Sequence, residues 1–200
     1  MAHRPKRPDD LIPDVFIAGH IIDLIAVSED LVDVTDWYRW FNDEETTYYM
    51  QKHYFPNNKV LQKKYARDHI EGNQNSLQLG IWHREDACLV GMVSLENIDY
   101  FNRSCSLSGI IGASAYRNLT VFIEAATLII AHGFETLNLN RICSGSIRED
   151  EQFIYTRILG FTKEGINRHA VYKRGRYHDA ILHSILRSEY KSYNGLTPLS

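Results

Sequence analysis

The chain has 200 residues, of which 44% are hydrophobic and 24% are charged, so it has the composition of a folded domain and excludes wholesale disorder. A formal net charge of −3 excludes the strongly basic surface that grips a nucleic-acid backbone. Three scattered cysteines and nine histidines give no disulfide or metal-binding spacing, so we expect no metal. No apolar run reaches the ~18 residues that span a bilayer, and we expect a cytoplasmic protein that does not enter membranes.

The first predicted elements follow an N-terminal arm, residues 1–20. The β-branched run Ile21–Val27 predicts a strand. Three helices are predicted next, at Thr35–Phe41, at Glu44–Met50, and from Pro56-Asn57-Asn58 to a stop near Gly72.

Strand patterns then dominate. Leu77–Trp82 and Leu89–Leu95 predict a hairpin turned by Arg84-Glu85-Asp86, and Cys105–Ile111 continues the meander. Apolar residues spaced by three and four between Thr120 and Leu137 predict a helix that lies on the sheet.

The C-terminal part predicts one more crossover and a final hairpin. Its elements are a strand at Ile142–Ser146, a helix at Glu149–Leu159 stopped by Gly160, and strands at Thr162–Tyr172 and Tyr177–Leu186 joined by Lys173–Arg176. The order indicates one α/β domain, residues 21–189, with a tail at residues 190–200. We expect a mixed, mostly antiparallel sheet with helices on both faces.

Three segments resemble the GNAT superfamily, in the branch of ribosomal-protein and nucleotide-amino-sugar N-acetyltransferases. They are Trp40-Phe41-Asn42-Asp43, then Phe134–Ile142, and then Gly160–Gly165 followed by Gly175–Asp179. The resemblance implies a splay between the two central parallel strands. Acetyl-CoA would bind there as co-substrate, with its pantetheine arm along the backbone of Ser108, Ile110 and Ile111.

The pyrophosphate of acetyl-CoA would lie on the loop and helix start formed by Arg117, Asn118, Leu119, Thr120, Val121 and Phe122. The family places glycines where this chain has Thr120 and Phe122, and glycine there lets a backbone approach phosphate. Glu149 replaces the asparagine common in the strand-to-helix loop and is taken as a further cofactor contact. The Phe122 ring would either block the phosphate path or pack beneath the helix.

The catalytic residues depart from the family, because its carboxylate position falls at Ser106 and its tyrosine position at Thr156. Glu96, at the end of the Leu89–Leu95 strand, is the candidate general base, with Asp99 or an ordered water as alternatives, and it also fits a solvated strand-end charge. Tyr155, the neighbour of Thr156, is the candidate acid, with the alternative of a core aromatic. The predicted acceptor contacts are Trp40, Asn42, Tyr49 and Asp99, although Trp40 also fits a core position and Asn42 a helix boundary. The aromatic cluster Tyr48, Tyr49, Tyr54 and Phe55 would line the acceptor cleft, cover the sheet or form an interface.

The sequence therefore predicts an acetyl-CoA-dependent N-acetyltransferase of a primary amine. An amino sugar, most plausibly nucleotide-linked, is the first choice of acceptor and a protein N-terminus the second, and a homodimer is possible. The alternative is a GNAT-fold binding or scaffolding protein that has lost acyl transfer, which the substitutions at Thr120 and Phe122 favour.

Overall fold

A computed structural model describes residues 12–50, 54–150 and 152–192. Eight strands form one sheet: β1 Val15–Ala18, β2 Ile22–Ile25, β3 Leu77–His83, β4 Cys88–Asp99, β5 Ser104–Ile111, β6 Arg141–Ser146, β7 Thr162–Lys173 and β8 Arg176–Leu186. Four helices are present: α1 Leu31–Val34, α2 Trp37–Trp40, α3 Lys59–His69 and α4 Leu119–Glu135. The strand order is β1-β2-β3-β4-β5-β6-β8-β7.

The sheet is antiparallel except where β5 meets β6 in parallel. Side chains alternate between the two faces of the sheet, and each face carries one apolar cluster. One cluster packs beneath α4, around Phe134 and Ile129, and the other packs beneath α1, α2 and α3, around Trp37 and Trp40. The expectation of a mixed, mostly antiparallel α/β sheet with helices on both faces is confirmed.

The predicted meander, the long helix and the final hairpin are confirmed with small shifts of their ends. Polar side chains that cap their own helices fix two of the starts. Asn58 Oδ1 accepts a hydrogen bond from the Leu61 amide at the start of α3, and Asn118 Oδ1 accepts one from the Val121 amide at the start of α4. The last hairpin turns at Arg174-Gly175, both in the left-handed region that tight hairpins require.

The first third of the chain differs from prediction. Strand β1 lies in the stretch assigned to an N-terminal arm, where Glu124 of α4 accepts hydrogen bonds from the amides of His20 and Ile21 in the following turn. The predicted helix Thr35–Phe41 is shortened to α2, because Thr35 has an extended conformation. The short helix α1, which precedes Thr35, was not predicted.

One predicted helix is wrong and a second differs in type. Residues 44–50 form consecutive turns, stabilised by Lys173, whose ammonium donates to the carbonyls of Thr47 and Met50 at 3.0 Å each. The predicted helix Glu149–Leu159 is present at residues 152–158, but Ile154–Ile158 form a π-helical turn, after which the Leu159 amide reaches back five residues to the Ile154 carbonyl. Within the described residues no helix is long and apolar enough to cross a membrane.

Candidate active site

The two parallel strands separate in the middle of the sheet. Residues 104–106 of β5 pair with residues 141–143 of β6, and the two strands then diverge. Beyond this point, residues 107–111 pair with β4 alone, while residues 144–146 pair with β8 alone. The predicted splay is confirmed. The edge of β5 that carries Ser108, Ile110 and Ile111 is therefore open to an extended ligand.

The start of α4 faces the mouth of this splay. Asn118 caps the Val121 amide, whereas the amides of Leu119 and Thr120 lie in the first turn, where no intrahelical carbonyl is available to them. The positive end of the helix dipole adds to the attraction for an anion. This part of the predicted phosphate loop has the local geometry of an anion site without the family's glycines.

The Phe122 ring packs toward the sheet. A Cβ atom built on Gly109 would lie 3.2 Å from Phe122 Cε2, so the ring lies directly over the β5 backbone at that glycine. Phe122 is half-buried, packs against the α4 side of the core and borders the cleft. The side chain at this second glycine position thus lies on β5, while Leu119 and Thr120 at the helix start are exposed.

A cleft of about 2300 Å³ runs through the splay from the α4 face to the face covered by α1–α3. Small-molecule sites commonly enclose a few hundred to a thousand cubic ångströms, so this space exceeds the needs of one compact ligand. Its walls combine the open edge of β5, the helix start at Leu119, the aromatic cluster and several carboxylates. The residues thus fit acetyl-CoA along β5 together with an acceptor on the opposite side.

Glu96 lies where the splay begins. It pairs in register with Ser106, the last β5 residue that is joined to β6, and it borders the cleft. Its carboxylate accepts a hydrogen bond from Ser94 Oγ at 3.0 Å and forms no ion pair with a basic side chain in the described part of the chain. Burial raises the pKa of nearby Tyr65, and the negative charge of Glu96 contributes to that shift.

Asp99 is placed outside the cleft. Its carboxylate accepts hydrogen bonds from the amides of Phe101 and Asn102 and from the Asn102 side chain, at 2.6–2.9 Å, and these bonds lower its pKa. All three bonds belong to the turn between β4 and β5. The structure does not bring Asp99 together with Glu96 at the cleft wall.

Tyr155 borders the cleft from the π-helical turn and is only 7% exposed. Its ring stacks on His183 with centroids 5.0 Å apart and meets the Phe161 ring edge-on. His183 Nε2 lies 2.8 Å from Gln152 Oε1, and burial together with the charge of Lys163 lowers the His183 pKa. The Tyr155 side chain, which was predicted as the acid, thus borders the cleft, and its ring is also packed as a core aromatic between His183 and Phe161.

Arg117 anchors a segment that crosses the cleft mouth. We call residues 43–50 the strap. The Arg117 guanidinium contacts Asp43, Glu45 and Thr46 of the strap and the carbonyls of Ile111 and Gly112. The predicted phosphate contact of Arg117 therefore competes with carboxylates of the strap.

Three of the remaining predicted residues are separated from the centre of the cleft. The Trp40 ring is buried against Gly112, where any side chain would collide with the indole. Asn42 exchanges two hydrogen bonds of 2.7 Å with the backbone of Asn57. Glu149 is exposed and borders a second, smaller depression. Tyr49, by contrast, borders the cleft as predicted, with its ring under the Arg148 guanidinium at 4.6 Å.

A buried polar network was missed by the sequence reasoning. Tyr116, directly before the phosphate loop, donates from its hydroxyl to Asp86 Oδ2 at 2.8 Å and receives a contact from Cys88 Sγ at 3.6 Å. Burial, followed by the bond to Asp86, raises the pKa of Tyr116. His83 packs its ring on Tyr116 and lies 3.3 Å from Asp86. The β3–β4 turn thereby holds the residue from which the loop and α4 start.

The described residues contain no group of three or more His, Cys, Asp or Glu side chains that would hold a metal ion.

Residues 23–152 match the family model described as an acetyltransferase (GNAT) domain. The chain is 33% identical over 119 residues to the putative ribosomal N-acetyltransferase YdaF of Bacillus subtilis, covering 58% of this chain and 63% of that one. It is 32% identical over 101 residues to the spermidine N(1)-acetyltransferase of Escherichia coli, covering 50% and 54%. The matched stretch is thus less than two thirds of either relative.

Solved structures agree on the fold. The spermidine N-acetyltransferase from Vibrio cholerae in complex with CoA and spermine superposes with a TM-score of 0.73 at 22% identity, covering 84% of this chain and 96% of that one. The ribosomal L7/L12 α-N-protein acetyltransferase RimL in complex with coenzyme A superposes with a TM-score of 0.74 at 14% identity, covering 86% and 97%.

Proposed function

Because the chain belongs to the GNAT acetyltransferase family, whose model matches 130 of its 200 residues (23–152), we propose that it transfers the acetyl group of acetyl-CoA to a primary amine. The observation that carries the proposal is the position of Glu96, a carboxylate without a basic partner at the point where β5 and β6 separate. The thioester supplies the activated acyl group. The residues around it supply binding, orientation and proton transfer.

The cofactor would be held by backbone groups. The open edge of β5 offers amides and carbonyls to an extended arm, and the amides of Leu119 and Thr120 face the phosphates. The inward packing of Phe122 removes the main objection to this arrangement. The same backbone edge would stabilise the oxyanion that develops during acyl transfer.

Proton transfer falls to two side chains on the cleft wall. The acceptor arrives as an ammonium ion, and Glu96 takes its proton directly or through a water molecule, so that the neutral amine attacks the thioester carbon. The new N–C bond forms as the C–S bond breaks. Tyr155, stacked on His183, would give its proton to the departing thiolate, and the second proton that the nitrogen loses on becoming an amide would reprotonate the tyrosine.

Within the amines, the cleft favours one amino group on a ring-shaped body. The carboxylates of the strap are already paired, Asp43 and Glu45 with Arg117 and Glu44 with Arg174. Asp150 is paired with Arg148. Among the described carboxylates that border the cleft, a polyamine, the acceptor named for the spermidine acetyltransferases, would therefore find Glu96 without a basic partner to receive several charges. Exposed rings, Tyr49, Tyr54 and Phe55, offer flat faces to a sugar. We therefore keep an amino sugar as the first acceptor and a protein N-terminus as the second.

The test combines an amine panel with one substitution. Purified protein is given acetyl-CoA with glucosamine, spermidine or a short peptide with a free N-terminus, and thiol release is followed. Glu96→Gln should lower kcat at least tenfold with little change in acetyl-CoA affinity, since general base catalysis typically contributes ~10²–10⁴. Glu85→Gln, an exposed carboxylate in the β3–β4 turn, is the matched control.

A Glu96→Gln enzyme with wild-type kcat would remove Glu96 from the mechanism. If the wild-type protein neither released thiol with any amine nor bound acetyl-CoA by calorimetry, the proposal would give way to the binding or scaffolding function. Binding without turnover would keep the cofactor site and reject the acceptors tried.

A further inference from the structure

A second depression of about 660 Å³ opens beside the cleft, between the strap, the loop after β6 and the β7–β8 hairpin. Its lining residues are Tyr48, Tyr49, Ile147, Arg148, Glu149, Asp150, Lys173, Arg174, Arg176 and His178. Six of these also border the main cleft, namely Tyr48, Tyr49, Ile147, Arg148, Asp150 and Arg174. One ligand can therefore extend from the cleft into the depression.

The depression is positive on a chain that is negative as a whole. Four of its lining residues are arginine or lysine and two are carboxylates, which leaves two net positive charges with His178 neutral. The whole chain carries a formal net charge of −3. This local reversal of sign favours an anionic ligand at this place.

The basic side chains of the wall are held in position by aromatic rings. The Arg174 guanidinium lies 4.4 Å from the centroid of the Tyr48 ring, and the Arg148 guanidinium lies 4.6 Å from that of Tyr49. The two rings meet edge-on at 4.5 Å. Such contacts restrain the guanidinium groups without consuming their hydrogen-bond donors.

Among the basic side chains of the depression, the guanidinium of Arg176 keeps its hydrogen-bond donors available for a ligand. Arg148 pairs with Asp150, Arg174 pairs with Glu44, and Lys173 donates to backbone carbonyls of the strap. The Arg176 side chain makes no ion pair or hydrogen bond in the described part of the chain. It pairs in register with Lys173, so the two side chains share the face of the hairpin that faces the strap, and His178 follows on that face.

We propose that this depression binds the phosphate group of the acceptor, so that the substrate is an amino sugar that carries a phosphate or diphosphate. Arg176 contacts the phosphate oxygens, with Arg174 and Arg148 at the wall that the two cavities share. The amine lies in the main cleft at Glu96. This assignment rests on the proposed function for the amine, but the depression itself can be tested without turnover.

The first arm of the test is binding of inorganic diphosphate, measured by calorimetry on the full chain with saturating CoA present to occupy the start of α4. Wild type should bind diphosphate, and Arg176→Gln should weaken the binding about tenfold, because a charge-assisted contact is lost. Arg168→Gln is the control, since Arg168 is an exposed arginine of β7 that lines neither cavity. Equal affinity of wild type and Arg176→Gln overturns the proposal.

The second arm separates an acceptor phosphate from a free anion. Acetylation of glucosamine 6-phosphate and glucosamine is compared in wild type and both variants. The phosphorylated sugar should have at least a tenfold lower KM, and Arg176→Gln should remove that preference while leaving the KM of glucosamine unchanged. Diphosphate binding with no preference for the phosphorylated sugar would overturn the acceptor assignment and leave a free-anion site. Absence of turnover with either sugar would count against the proposed function instead, because diphosphate binding is measured separately.

Discussion

Replacement of Phe122 tests whether a bulky residue is compatible with the phosphate loop. The ring is half-buried between α4 and Gly109, and complete burial of a phenylalanine side chain contributes ~1.5–3 kcal/mol. Phe122→Ala should therefore cost about 1–2 kcal/mol. Phe122→Gly should cost up to about 1 kcal/mol more, because glycine is a poorer helix former than alanine. For a domain of this size, each kcal/mol lowers Tm by about 2–4 °C.

Thermal unfolding and acetyl-CoA titration of both variants give the two readouts. We expect the loss of stability with no gain in acetyl-CoA affinity, because the ring packs on β5 at Gly109 while Leu119 and Thr120 are exposed. Phe122→Ala separates loss of the ring from added backbone freedom, which only Phe122→Gly introduces. A tenfold increase in affinity in both variants would refute the reasoning, since it would mean that the ring obstructs the phosphate path.

Three further outcomes are expected. Acetyl-CoA at ~100 times its Kd should stabilise the fold by about 2.7 kcal/mol in thermal unfolding, and no shift at millimolar ligand would contradict a cofactor site. Tyr116→Phe removes the bond to Asp86, so it should cost about 0.5–1.5 kcal/mol and raise the KM for acetyl-CoA without lowering kcat, whereas unchanged kinetics would deny the network a part in placing the loop. Hydrogen bonds from Arg141 and Ser184 lower the pKa of Glu164 to about 2 from 4.5, so its stabilisation is complete above pH 4.5 and is lost as the pH falls through 2. The pair is partly exposed, so Glu164→Gln should cost at most about 1 kcal/mol at pH 6 in urea unfolding and clearly less at pH 2, and a cost that did not shrink between pH 6 and pH 2 would exclude this origin.

The sequence predicted the fold where local and long-range signals agree. The spacing of apolar residues in α4, the capping asparagine before α3 and the left-handed turn between β7 and β8 each specify their element locally. Residues 44–50 of the strap were predicted as a helix. Its conformation is set instead by Lys173 and Arg174, which lie more than 120 residues further along the chain. No local pattern contains that information.

The candidate site, like the fold, was predictable where it depends on the order of the elements and not where it depends on long-range side-chain contacts. The open edge of β5 and the start of α4 follow from the element order together with the family resemblance. Asp99 and Asn42 were expected to face the acceptor, yet their side chains are consumed by turn and loop hydrogen bonds. A polar residue at the end of a strand or helix can either contact a substrate or hydrogen-bond a nearby loop. Its neighbours in three dimensions determine which of the two it does. The Tyr116 network was missed because Asp86 had been read only as a turn residue.

The short contact between β5 and β6 has a mechanical consequence. Within the sheet, three residue pairs of β5 and β6 join β1–β5 to β6–β8, and α4 packs mainly on β2, β4 and β5 of the first group. The seam between the groups is the place where the sheet opens most easily, because few backbone bonds must break there. A pantetheine arm lying along β5 would act as a short extra strand in this seam. Exchange of the Ser144–Ser146 amides would then slow when the cofactor binds, and the stiffness of the sheet would report occupancy of the site.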